Sequence, residues 1–218
     1  MSAVNINENM LSELRRTVVS GMSEKRAVHT LAVEKMAIRL GELNASDKIN
    51  VLRAAALLHD TTKELKLQDQ LELCDKYGIA VKKEEIYAPK TFHAKTAAAK
   101  IPIEFPDFAD DDVISAVRWH TTGRKGMTVC EKIVYLADYI DESRTFDDCV
   151  FLRNKFWSAD VEKMNTEERL AHLRDILILS YDLTIKILIE EKSPVASDTF
   201  DARNELICER LNANTLKG

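Results

Sequence analysis

The stretch Ala54-Ala-Ala-Leu-Leu-His59-Asp60-Thr-Thr-Lys63 constrains this chain more than any other. An apolar run at helical spacing ends in an imidazole beside a carboxylate, with a lysine three residues on. Neutral imidazole and anionic oxygen together suit a divalent transition metal. A His-Asp pair at a helix end also occurs as a cap or a surface feature, so the rest of the chain has to decide. Long stretches repeat apolar residues at helical spacing, and 218 residues contain only six glycines and four prolines. That pattern predicts an all-α protein, long enough to bury a core without disulfides. The 36 acidic residues outnumber the 31 basic ones, for a net charge of -5. Such a balance argues against binding to nucleic acid polymers or membrane surfaces, so any phosphate chemistry needs local cations. Cys74, Cys130, Cys149 and Cys208 form no C-x-x-C pair and read as reduced thiols of a cytoplasmic protein. The polar N-terminus lacks a signal-peptide pattern, and no segment has the apolar length of a membrane span.

Helix punctuation divides the chain further. A first helix is expected over Glu8 to Ser20, closed by Gly21. Ser23 caps a second, running to about Leu40 and stopped by Gly41. Ser46 caps a third that carries Ile49, Leu52, Ala56 and His59 on one side. Leu67 to Tyr77 ends at Gly78, and another helix starts near Lys90 or Thr91. The prolines of Ile101-Pro-Ile-Glu-Phe-Pro106 predict a connector. Asp110 to Asp112 place negative charge at a helix start, ahead of buried Val113, Ala116 and Val117. Thr128 and Glu131 have capping-box spacing and open a helix through Ile140. Asp147 to Trp157 reads as loop plus a short helix. Thr166 to Glu191 carries a stripe of Ile176, Leu177, Leu179, Leu183, Ile187 and Leu188, with His172 in a surface or packing role. Pro194 precedes a last helix over Asp198 to Asn212. The expected organisation is one domain over residues 1–192 and a helical extension over 193–218 packed on it.

Polar residues recur on the apolar faces. His29 shares a stripe with Ala32, Val33, Met36 and Leu40, and Arg26 lies one turn before it. His93 precedes Ala97-Ala98-Ala99, His120 ends its helix on the buried face, and Asp138 stands inside Ile133 to Ile140. A buried carboxylate without a partner costs several kcal/mol or loses its charge. Each residue alone has an ordinary reading, as a satisfied core histidine or a carboxylate paired to an arginine. Six of them turned inward together exceed what a stable core tolerates without a shared purpose, and a metal supplies one.

The order His29, His59-Asp60, His93, His120, Asp138 resembles the HD-domain phosphohydrolase superfamily, whose pattern is H…HD…H…H…D on a helical bundle. The segments His29-Thr-Leu, Leu-Leu-His59-Asp-x-x-Lys63, His93-Ala, Arg118-Trp-His120-Thr-Thr-Gly-Arg124 and Glu131-Lys-Ile-Val-Tyr-Leu-Ala-Asp138-Tyr-Ile are similar to its YqeK-type branch, the symmetrical diadenosine tetraphosphate hydrolases. Ser197 to Asn204 is similar to that branch's C-terminal segment. The chain departs from the pattern at Asp141-Glu142 and at Phe146-Asp-Asp-Cys149, which bear on the nucleotide-binding rim. The resemblance implies an all-α HD-domain bundle that cleaves diadenosine tetraphosphate centrally to two ADP, by attack of a metal-activated hydroxide on the polyphosphate bridge. It implies a metal held by His29, His59, Asp60 and Asp138, iron in the family, with manganese, cobalt and zinc as alternatives. His93 and His120 would hold a second metal or a phosphate. Arg26, Lys63 and Arg144 would clamp phosphate oxygens, with Thr121 and Arg124 of the adjoining loop nearby. Asp60, Lys63 and His120 would carry the chemistry. Two other readings stand beside it: an HD phosphohydrolase for another nucleotide, and a catalytically silent nucleotide-binding sensor. The number of ions and a homodimeric state are left open.

Overall fold

The computed structural model describes residues 4–215. Ten α-helices follow one another in order: α1 (Glu8–Ser20), α2 (Glu24–Asn44), α3 (Ile49–Leu58), α4 (Leu67–Lys76), α5 (Phe92–Glu104), α6 (Asp111–Trp119), α7 (Val129–Ile140), α8 (Asp147–Trp157), α9 (Thr166–Glu190) and α10 (Ser197–Thr215). No strand occurs among the described residues. None of the helices is long and apolar enough to cross a membrane.

Helix α3 forms the axis of the bundle. Its Leu52 and every residue from Ala54 to Leu58 are fully buried, with α1, α2, α6 and α7 packed around it. The three alanines allow those neighbours to approach closely, and the aliphatic tips fill the space between them. Helix α5 packs on α6, while α8 and α10 pack on α9 at the outside. Buried Glu34 of α2 ties α1 and α3 to α2 by ion pairs to Arg15 at 2.6 Å and Arg53 at 3.1 Å.

Several expected boundaries move, each for a local reason. Helix α2 runs through Gly41 to Asn44. A Cβ at Gly41 would lie 2.6 Å from Leu52 Cδ1 and 2.8 Å from Ile49 Cδ1, so this glycine admits α3 and stops nothing. Ser46 caps no helix; it begins a 3-10 turn, Ser46–Lys48, that leads into α3. Pro102 lies inside α5, in its last turn. There a proline forfeits one ladder bond without breaking a following helix, and the Phe105 N–H still reaches the Ile101 carbonyl at 2.8 Å. Asp147 to Trp157 is helical throughout, with two acids in its first turn and Cys149, Leu152 and Phe156 on its buried face. On α9, Leu173, Ile178 and Tyr181 join Ile176 and Leu177 in the core, while Ile187 and Leu188 are half-buried. His172 has a packing role: it lies 5.0 Å from the Phe156 ring, and its Nε2 donates to the Phe156 carbonyl at 3.0 Å.

Helix α10 reaches back to the loop after α6. Its Ala202 and Leu206 belong to the core, and the Thr199 hydroxyl donates to the Thr122 carbonyl at 3.1 Å. Gly123 in that loop has φ +64, and a Cβ there would fall 2.0 Å from the Tyr181 hydroxyl and 3.2 Å from Ala202 Cβ. Gly78 has a similar φ of +66, but a Cβ there would meet nothing within 4 Å. Gly78→Ala is therefore expected to cost about 1 kcal/mol, for the left-handed backbone alone. Gly123→Ala adds the overlap with Tyr181 and is expected to cost about 2–4 kcal/mol. Urea denaturation of both variants checks this; equal losses would mean the Tyr181 contact carries no weight.

Candidate metal centre

Five helices and the turn after α3 deliver side chains to one point. Helix α2 brings Arg26 and His29, the end of α3 brings His59 and Asp60, and the turn after it brings Lys63. The first turn of α5 brings His93, the end of α6 brings His120, and the last turn of α7 brings Asp138. His59 and His120 both stand at C-caps with helical backbone. Each places Nδ1 against the carbonyl three residues back, Ala56 at 2.6 Å and Val117 at 2.7 Å. A carbonyl only accepts, so Nδ1 carries the proton and Nε2 keeps the lone pair a metal needs. The rings of His29 and His59, His59 and His120, and His93 and His120 meet edge to face at 5.5, 5.0 and 4.9 Å.

The donor atoms fit an ion. His29 Nε2 lies 3.0 Å from Asp138 Oδ1 and 3.7 Å from Asp60 Oδ2. His59 Nε2 lies 3.4 Å from Asp60 Oδ2 and 3.8 Å from Asp138 Oδ1. Bonds of about 2.1 Å to one metal set neighbouring donors about 3–3.5 Å apart. Both imidazole nitrogens are buried, and neither makes a hydrogen bond. They point to a shared centre, as ligands do. Two overlapping triads satisfy metal-ligand proximity: His29, His59 and Asp138, and His59, Asp60 and His120. Asp60 faces both ways, since its Oδ1 lies 3.3 Å from His93 Nε2 and 3.7 Å from His120 Nε2. Nitrogen and carboxylate donors of this kind suit a divalent metal.

The cluster is strongly polarised. Burial works against ionised Asp60, but His59, His120 and His93 hold it well below the usual carboxylate range. Asp138 is held low in the same way by Arg144, His29 and His59. Burial lowers His29 too, yet the neighbouring carboxylates of Asp138 and Asp141 raise it to about 9. Burial pushes His93 down to about 3 and lowers His120, so both are neutral. Their Nε2 atoms are 3.0 Å apart, and with His120 Nδ1 already donating, the bridging proton belongs to His93. Lys63, lowered by burial, stands 3.2 Å from His93 Nε2. The Thr121 hydroxyl lies 3.2 Å from both His93 and His120.

The arginines rest on the acids. Arg26 bonds Asp60, and Arg144 bonds Asp138 while its Nε lies 3.4 Å from Asp141 Oδ2. Of the residues expected at the site, Arg124 stands apart: its Nε pairs with buried Glu131 at 3.0 Å. Asp141 is a site residue that sequence reasoning missed. It is fully buried, and its Oδ2 lies 3.3 Å from His29 Nδ1, on the far side of the ring from the metal position. Its other oxygen accepts the Ser143 N–H at 2.8 Å. A carboxylate behind an imidazole fixes the ring and raises its basicity. The available signal was the spacing of Asp138 and Asp141, one turn apart at the end of an apolar helix.

Two cavities adjoin the cluster. One, of about 650 Å³, is lined by Arg26, His29 and Ser143; the other, of about 380 Å³, by His120, Thr121 and Asp138. Lys63, Arg144 and Phe146 line both, so the cavities adjoin across these residues, with His29 on one side and His120 and Asp138 on the other.

Comparison with known proteins agrees with this geometry. The HD domain family matches residues 26–143, which runs from Arg26 through the Asp138–Ser143 turn. A protein of Halalkalibacterium halodurans named bis(5'-nucleosyl)-tetraphosphatase, symmetrical, is 31% identical over 191 residues, covering 87% of this chain and 92% of that one. A protein of the same name from Bacillus subtilis is 30% identical over 186 residues, covering 85% and 91%. The crystal structure titled a predicted HD superfamily hydrolase involved in NAD metabolism, from Clostridium acetobutylicum, superimposes with a TM-score of 0.78 at 30% identity, covering 91% of this chain and 97% of that one. With its donor cluster inside the matched span and its relatives aligned over most of their length, this chain belongs to the HD domain family.

Proposed function

We propose that this protein is a metal-dependent hydrolase that cuts diadenosine tetraphosphate at its centre to give two ADP. The observation that carries the reading is the donor cluster beside two cavities that adjoin across Lys63, Arg144 and Phe146. A dinucleotide with one nucleoside in each cavity brings the middle of its phosphate chain to His29, His59, Asp60 and Asp138. Relatives named symmetrical tetraphosphatases support the same assignment.

The residues proposed to hold the ion are His29, His59, Asp60 and Asp138, and the ion proposed is iron. His93 and His120 lie on the Asp60 Oδ1 side, where they would complete a second position or meet a phosphate. A divalent ion there would lower the pKa of water towards ~7 and polarise a phosphoryl oxygen. The chain supplies the rest. Lys63, Arg26 and Arg144 bring three cations to a protein of net charge -5, where negative charge grows on the phosphoryl oxygens and the departing diphosphate. Arg26 and Arg144 are planar forks suited to bidentate phosphate contact, and an ion held by Asp60 and Asp138 would free them for it. His59 and His120 keep Nε2 unprotonated through the fixed carbonyl contact of Nδ1. Asp141 keeps the His29 ring aimed.

Metal-loaded protein incubated with diadenosine tetraphosphate is expected to yield ADP alone. AMP plus ATP would overturn central cleavage. A panel with mononucleotides, cyclic nucleotides, guanosine tetraphosphate and NAD separates another HD activity, and tight binding without turnover for iron, manganese, cobalt and zinc alike would leave a sensor. His59→Ala is expected to lose the metal, measured by elemental analysis, and to lower kcat at least about 1000-fold, the order of magnitude for removing a metal's contribution. Because an ion that binds only the folded state stabilises it, by about 4 kcal/mol at a thousand times its Kd, a chelator should lower the Tm of the wild type and leave that of His59→Ala in place. Asp141→Asn is expected to weaken metal affinity about 10–100-fold and leave the products unchanged; unaltered affinity would reduce Asp141 to a packing role.

A further inference from the structure

The smaller cavity carries a feature the phosphate chemistry does not use. Its lining includes Asp148, in the first turn of α8, together with Tyr139 of α7 and Thr184 of α9. The Tyr139 hydroxyl donates to Asp148 Oδ2 at 2.7 Å. Among the described residues Asp148 has no cation within ion-pair distance, and its Oδ1 has no protein partner. The cavity's other outer acid, Glu191, is paired with Lys90 at 3.8 Å. A half-buried carboxylate with an unpartnered oxygen thus lines a pocket that also holds Lys90, Tyr135, Thr184, Ile187, Leu188 and Phe146.

What such a group accepts is narrow. It repels phosphate, which fixes the polarity of an entering nucleotide: phosphates toward Lys63 and Arg144, nucleoside toward Asp148. One carboxylate is too few oxygens for a hard cation. With Tyr139 on Oδ2, Oδ1 is the more open acceptor, which favours a donor that reaches a single oxygen over a planar base edge that uses both. Sugar hydroxyls remain, donors that reach a single oxygen from a non-planar ring. A carboxylate reading ribose hydroxyls is a known solution in dinucleotide sites. We propose that Asp148, held in place by Tyr139, reads the ribose hydroxyls of one nucleoside of the substrate and makes this cavity selective for ribonucleotides. The inference rests on the dinucleotide reading above and adds to it which wall binds the sugar.

The test compares ADP with 2'-deoxy-ADP and 3'-deoxy-ADP by calorimetric titration of the metal-loaded protein, and diadenosine tetraphosphate with its bis-deoxy analogues by turnover. Wild type is expected to favour the ribo form at least about tenfold over one of the deoxy forms, the size of a hydrogen bond to a charged group. In Asp148→Asn, which keeps the Tyr139 contact but turns an amide toward the ligand, that preference is expected to fall to near one, through loss on the ribo ligand only. Tyr139→Phe should reduce the preference partially. Equal binding of ribo and deoxy forms by the wild type overturns the proposal, and so does an Asp148→Asn loss shared by both sugars or one that follows the base instead. Binding is read without turnover, so failure of diadenosine tetraphosphate to be cleaved counts against the catalytic reading alone, whereas cleavage without sugar preference counts against Asp148 alone.

Discussion

Two carboxylates, Asp60 and Asp138, sit inside a helical bundle and stay ionised, and the architecture follows from meeting their cost. An isolated charge in such surroundings is prohibitive, and a buried pair repays its desolvation only with good geometry and satisfied neighbours. Here Arg26 and Arg144 come in from the rim, and four imidazoles close the remaining directions. Those partners come from α2, α3, α5, α6 and the turn after α7, so packing these helices together assembles the centre. The helix ends contribute in a second way. The last carbonyls of a helix lack intrahelical donors, and His59 and His120 use that deficit to fix their own proton. One contact satisfies a backbone oxygen and leaves a ring nitrogen free.

How far this is legible in sequence depends on the range of the interaction. His29, His59, Asp60, His93, His120 and Asp138 can be picked out because polar residues on apolar helical stripes violate a local pattern. Helix caps at Asn7, Ser23, Asp110, Thr128 and Asn165 are local as well, and each bonds a backbone N–H of its own helix. Gly41 misleads because its role is set by Leu52 and Ile49 on another helix, not by its neighbours in sequence. Asp141 escapes notice because it caps the helix end, where its one-turn spacing from Asp138 is the only local mark of a buried position. Arg124 sits close to His120 in sequence but is held by Glu131, a partner that only the packing of α7 brings near.

The proposed substrate has two equal halves, whereas the cleft has two unlike ones. The larger cavity offers Lys25 and Arg26, and the smaller offers Asp148 and Tyr139. A molecule with twofold symmetry can enter in either direction and present the same bond to the same donors. A cleft for such a ligand is therefore free to make all its discrimination on one side, since each end of the ligand has an equal chance of meeting it.

Helix α10 lies beyond the residues the HD family matches, yet its Thr199, Ala202 and Glu205 touch the loop that begins at His120. The signature motif and the mechanical unit consequently have different borders. A chain cut after residue 192 would retain every donor named above while stripping the loop's outer support, leaving an intact recipe in a slackened mould. The sequence signature here marks where the donors are, and the support that keeps them in register is borrowed from further along the polymer.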